Sequence, residues 1–135
     1  NTTVRGMVPV GDYNGIRFTL GVPFRMNHQN AATAPSPLVI TAMFWNWQGG
    51  YKFIRIDEAT DMARIHLGST GCTGPSPNDT TSCQRPNRGE VFLPNFDPAS
   101  DTIVADLAAL LQDTDVAVNQ PETPPGCMSG PTDSD

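Results

Sequence analysis

Residues 43–57, MFWNWQGGYKFIRID, decide the fold. Gly49-Gly50 separates two runs rich in aromatic and β-branched residues, the pattern of strand, tight turn and strand. After the turn, Tyr51, Phe53 and Arg55 alternate with Lys52, Ile54 and Ile56, so both faces carry apolar side chains. That distribution suits a central strand of a sandwich better than one exposed on a side. Before the turn the pattern predicts a strand over 38–48, with Met43, Trp45 and Trp47 on one face by period-two spacing. Spacing alone makes both tryptophans core residues.

Working outward, Ile16, Phe18 and Leu20 alternate with Arg17, Thr19 and Gly21, which predicts a strand over 15–22. Asn14-Gly15 is a hairpin-turn signal, and it predicts that residues 2–10 (TTVRGMVPV) pair with this strand. Residues 27–37 form a loop in which Pro35 and Pro37 exclude a helix. Further short strands are expected over 63–69 and 89–96. Residues 101–112 (DTIVADLAALLQ) read as a strand passing into a short helix, and 119–135 as an extended tail. Turn signals every ten or so residues and many short strands predict an all-β fold, an antiparallel β-sandwich-like domain with long disulfide-stapled loops.

The 135 residues are enough for one domain and too few for two. Thirteen prolines and twelve glycines break the chain into short pieces. No apolar run approaches the roughly 20 residues needed to span a bilayer as a helix. A formal charge of −6, with eight scattered basic residues, argues against a nucleic-acid partner. GxSxG, HExxH, P-loop and GxGxxG patterns are missing from the sequence. Asp57-Glu58 and Asp61 read as a solvated strand end and turn.

Three cysteines, at 72, 83 and 127, show no CxxC spacing, which disfavours structural zinc and a thioredoxin-type pair. Cys72–Cys83 closing a Pro/Ser/Thr/Asn-rich loop is the economical pairing, and it implies an oxidising compartment. Cys127 is then expected to pair with a cysteine outside this chain. Two histidines, His28 and His66, stand beside turn residues, and imidazole is a common ligand for copper and zinc. Thioethers suit Cu(I), which makes Met26 and Met43 candidate soft ligands. Met26 would share a side with His28 if a strand continues that far. Each of these residues also has a plain packing role available to it.

Several strings stop looking generic when taken together: GIRFTLGVPFRMNH (15–28), SPL (36–38), MFWNWQGGYKFIRID (43–57), HLGSTGC (66–72), CQRPNR (83–88) and GCMSGP (126–131). In this order they resemble the four-cysteine MbnP-like family, over about residues 10–131. The resemblance implies an exported copper-binding protein of the periplasm or cell surface, serving copper acquisition or homeostasis and not itself an enzyme. It implies association with the outer membrane or cell surface, and a MauG-like diheme partner that converts a tryptophan to kynurenine. Carried over to this chain, His28 and His66 are the metal ligands. Trp47 and Trp45 are the candidates for modification, Trp47 preferred because it adjoins the Gly49-Gly50 turn. The family pattern also has a fourth cysteine and further N-terminal strands, so residues 1–135 are expected to be one incomplete domain. Rival readings are a copper-dependent redox enzyme and a metal-free surface interaction module.

Overall fold

The computed structural model describes residues 3–57, 64–115 and 117–128. Glu58, Asp61 and the end of the tail (129–135), all of which entered the sequence reading, lie outside the described residues. The chain is all-β, its strands antiparallel and, among the described residues, grouped in three small sheets with two single-turn helices. In chain order these are β1 (Gly15–Leu20), α1 (Phe24–Asn27), β2 (Phe44–Asn46), β3 (Gly50–Asp57), β4 (Arg64–Gly68), β5 (Thr70–Thr73), β6 (Ser82–Arg85), β7 (Gly89–Pro94) and α2 (Leu107–Leu110). The sheets are β1-β7, β2-β3-β4 and β5-β6. Among the described residues no helix is long and apolar enough to cross a membrane.

The alternation expected for β1 is present: Ile16, Phe18 and Leu20 are half-buried while Arg17 and Thr19 are exposed. Its partner, however, is β7, and of the expected 2–10 strand the described residues 3–10 form none. Ile16 faces Leu93 and Phe18 faces Val91, so apolar pairs meet on the inner side. On the outer side Arg17 lies over the Phe92 ring at 4.8 Å and meets Glu90 at 2.9 Å. Cross-strand pairs of this kind select the partner. The Asn14-Gly15 signal therefore marks the start of β1, where the Asn14 carbonyl accepts from Asn95 N–H, and no hairpin forms there. Val4, Met7 and Val10 are almost wholly exposed.

β3 is the central strand of its sheet, as its two apolar faces predict. The β2–β3 turn takes residues 47–49, so that Gly50, at φ +76°, opens β3 opposite Asn46, whose side chain accepts from Gly49 N–H. Upstream, the expected 38–48 strand shrinks to three residues. Thr41–Met43 form a 3-10 turn, and Trp47 lies beyond the last β2 residue. Backbone bonds from Leu38 N–H to the Pro35 carbonyl and from Ile40 N–H to the Pro37 carbonyl, with the Tyr51 hydroxyl donating to the Leu38 carbonyl, hold 35–40 in turns. Met43, Trp45 and Trp47 consequently do not share a strand face.

The β5–β6 hairpin has no strand signal in the sequence, because its Gly, Pro, Ser and Thr content masks any period-two pattern. Cys72 faces Cys83 in its register and the two are joined by a disulfide. Residues 119–128 are turns and not an extended tail. Asn119 accepts from Gly126 N–H. Cys127 adds to the free edge of β4, its N–H donating to the Arg64 carbonyl and its carbonyl accepting from His66 N–H. Residues 101–106 carry no strand pairing among the described residues, and α2 follows, its start capped by Asp106.

Candidate functional site

Among the described residues Asn27, at 1% exposure, is the largest fully buried side chain, and the fold is tied together around it. Its Oδ1 accepts from Tyr51 N–H at 2.8 Å, and its Nδ2 donates toward Ser69 Oγ at 3.4 Å. Ser69 in turn donates to the Pro86 carbonyl. One buried amide thus links α1, β3, the β4–β5 junction and the segment after β6. A buried amide is tolerated only when it is satisfied in this way.

His28 ends α1 directly beside this hub. Its Nδ1 lies 3.0 Å from the Trp47 carbonyl, and because a carbonyl only accepts, the neutral ring carries its proton on Nδ1. The lone pair is therefore on Nε2. That nitrogen faces Asn27 Nδ2 at 3.3 Å and Cys83 Sγ at 3.4 Å. The Phe24 ring packs against the imidazole with centroids 4.9 Å apart.

His66 sits on β4 opposite Arg55 of β3 and is 8% exposed. Its Nε2 is 2.6 Å from Asp57 Oδ1, and the other Asp57 oxygen meets Arg55 Nε at 2.6 Å. The His66 hydrogen bond first, and the Arg55 bond second, hold the Asp57 carboxyl below its ordinary pKa. Asp57 is therefore no idle strand end: it orients an imidazole as a carboxylate does beside metal-binding histidines.

Each histidine is matched to a different tryptophan. The Trp45 ring lies beside His66 at 6.4 Å between centroids, while residue 47 meets His28 through its backbone carbonyl. The Trp47 indole stands edge-on to Phe44. Among the described residues no hydrogen bond or ring contact joins the two imidazoles. Trp45 also lines a groove of about 330 Å³ with Gln48, Ser69, Cys72 and Met128. Trp47 borders another of about 300 Å³ with Pro77 and Asn78. Both indoles can thus be reached from solvent.

Met26 belongs to α1, so the strand that would have aligned it with His28 does not exist. Met43 lies in the 3-10 turn. Neither thioether has a described contact with either imidazole. The disulfide is legible in the sequence but its place beside His28 is not, and nothing local signals the roles of Asn27 and Asp57. Asn27 is a neighbour of His28, and Asp57 lies in a strand whose partner cannot be read locally. Each imidazole is thus oriented by its own partner, His28 by the Trp47 carbonyl and His66 by the Asp57 carboxylate, and neutral imidazole is a common ligand of transition metals.

Comparison with curated proteins gives no significant match. Among solved structures, the chain is similar to MbnP from Methylosinus trichosporium, with 31% identity and a TM-score of 0.80. The match covers 94% of this chain and 51% of that one, so this chain spans about half the length of that protein. The family profile for MbnP matches residues 1–129. The chain belongs to the MbnP family.

Proposed function

We propose that this chain is an exported copper-binding protein, acting in copper acquisition or homeostasis, whose ligands are His28, His66 and a tryptophan oxidised to kynurenine. The hydrogen bond from His28 Nδ1 to the Trp47 carbonyl carries the reading. It leaves Nε2 as the coordinating nitrogen and anchors residue 47 to the same imidazole. On the other side Asp57 holds His66 through Nε2, so coordination there would use Nδ1. Copper is the cargo; the protein supplies the ligands and their orientation.

Residue 47 is the favoured position for modification. An indole N–H can only donate, whereas the aryl amine and ketone of kynurenine offer lone pairs. The His28 bond uses the backbone carbonyl, which the ring opening does not touch, so oxidation would leave His28 oriented. Trp45, beside His66, is the alternative. The oxidising partner is a MauG-like diheme enzyme, for which both indoles are accessible. A periplasmic or cell-surface location accords with the Cys72–Cys83 disulfide.

Peptide mass spectrometry on protein from its native host tests the modification. A gain of about 4 Da, one carbon replaced by one oxygen, is expected on the peptide holding both tryptophans and localised to Trp47. Localisation to Trp45 would move the ligand to the His66 side. Two intact tryptophans in copper-loaded protein would sink the kynurenine reading and leave only the histidines.

A further inference from the structure

Where α1 ends against the β5–β6 hairpin, three potential ligand atoms converge. His28 Nε2 is 3.4 Å from Cys83 Sγ, and a ring nitrogen of His28 and both sulfurs of Cys72 and Cys83 lie within 4.8 Å of one another. Cys72 is buried and Cys83 and His28 are half-buried. The copper site proposed above uses His28 but neither sulfur. In the disulfide the sulfurs are not thiolates and are poor ligands.

We propose that reduction of Cys72–Cys83 creates a second metal site, formed by His28 Nε2 and the two thiolates, for a thiophilic ion and above all Cu(I). The step balances with an external dithiol as reductant. The S–S bond breaks as two electrons and two protons pass to the cysteines, and the dithiol leaves as its own disulfide. Binding of the ion then releases the two thiol protons. Soft thiolates favour Cu(I) over the harder ions that share imidazole sites. Both sites need His28 Nε2, so the redox state of the hairpin decides which one can fill.

The ligands are held in place by more than the disulfide. Cys72 and Cys83 are direct partners in the β5–β6 register, between Thr70↔Arg85 and Thr73↔Ser82, and Thr81 N–H donates to the Thr73 carbonyl. That ladder keeps the two sulfurs on facing positions after the bond opens. Metal–sulfur bonds of about 2.3 Å and metal–nitrogen bonds of about 2.0 Å put ligand atoms somewhat under 4 Å apart. The nitrogen is already near that spacing from Cys83, and only the sulfurs must part. His28 stays aimed through its Trp47 bond, and Asn27 Nδ2 keeps Ser69 Oγ as an acceptor when Nε2 turns to the ion.

The test uses the full chain with Cys127→Ser, so that only two thiols form on reduction. Disulfide-intact and phosphine-reduced samples are titrated anaerobically with Cu(I) against a chromophoric Cu(I) chelator, with circular dichroism confirming the fold of each. The reduced sample should bind one Cu(I) at least tenfold more tightly than the intact one and show thiolate-to-copper charge-transfer absorption. His28→Ala should remove at least tenfold of the reduced-state affinity. His66→Ala should weaken only the intact sample, which separates this site from the one proposed above. A folded reduced chain with no gain in affinity would overturn the proposal, as would a gain insensitive to His28. Loss of the fold on reduction would overturn it too, because the ladder is what holds the site. Equal damage by His66→Ala in both states would mean a single copper site and no second one.

Discussion

His28 and Trp47 are joined by a hydrogen bond from imidazole Nδ1–H to backbone carbonyl, 3.0 Å long and spanning 19 residues. The bond fixes the tautomer of the ring without using the indole. Trp47→Phe should therefore preserve the fold and the His28 orientation while removing the modifiable ring. Copper affinity should fall at least tenfold, with the unfolding midpoint nearly unchanged. His28→Ala should abolish tight binding in the same titration. If Trp47→Phe binds as wild type does and Trp45→Phe does not, the working tryptophan is Trp45.

Asp57 offers a pH test. Its carboxyl is held below the ordinary value by the hydrogen bond from His66 and then by Arg55. A depressed folded pKa stabilises the fold above the unfolded value, near pH 4, and that contribution disappears as pH falls through the folded pKa. Thermal unfolding of wild type and Asp57→Asn should thus differ above about pH 4 and converge in stronger acid. A gap that stays constant down to strong acid would show that the carboxylate charge does not matter.

At Gly68 the site leans on a missing side chain. A Cβ there would run into the Trp45 indole and lie 2.9 Å from the Tyr51 carbonyl, which is backbone and cannot yield easily. Gly68→Ala should cost about 2 kcal/mol, the usual range for overpacking, and should blue- or red-shift the Trp45 emission. Chemical denaturation with fluorescence detection reads both effects. The packing account fails if neither moves.

Asn27→Leu should be among the more damaging single changes in α1 although it makes the interior more apolar. It leaves Tyr51 N–H without its buried acceptor, a loss worth about 1–3 kcal/mol. Asn27→Asp retains an acceptor but not the donor to Ser69, and should fall between. Denaturant midpoints for the two variants give the order.

Removal of the disulfide should be costly for a different reason. Cys72 and Cys83 are 11 residues apart, and a loop of that size constrains the unfolded chain by about 3 kcal/mol in the entropy model. The double variant Cys72→Ser/Cys83→Ser should unfold earlier in denaturant by that amount while keeping wild-type circular dichroism in buffer.

The amino-acid sequence by itself determined the local features. Alternation in 15–20 and 50–57, the β2–β3 turn to within a residue or two and the Cys72–Cys83 pair are visible because each rests on neighbours or on one short loop. The order of the family strings was legible for the same reason, and with it the two histidines and two tryptophans. Only the tertiary structure decided that β1 pairs with β7 across about 70 residues and that residues 3–10 do not. It also decided that His28 meets the disulfide, that His66 meets Asp57, and that each tryptophan attends a different imidazole. Periodicity states which face of a strand is apolar but not which distant strand will cover it. That choice comes from the joint burial of side chains and the completion of hydrogen-bond ladders, which exist only once the chain has closed on itself.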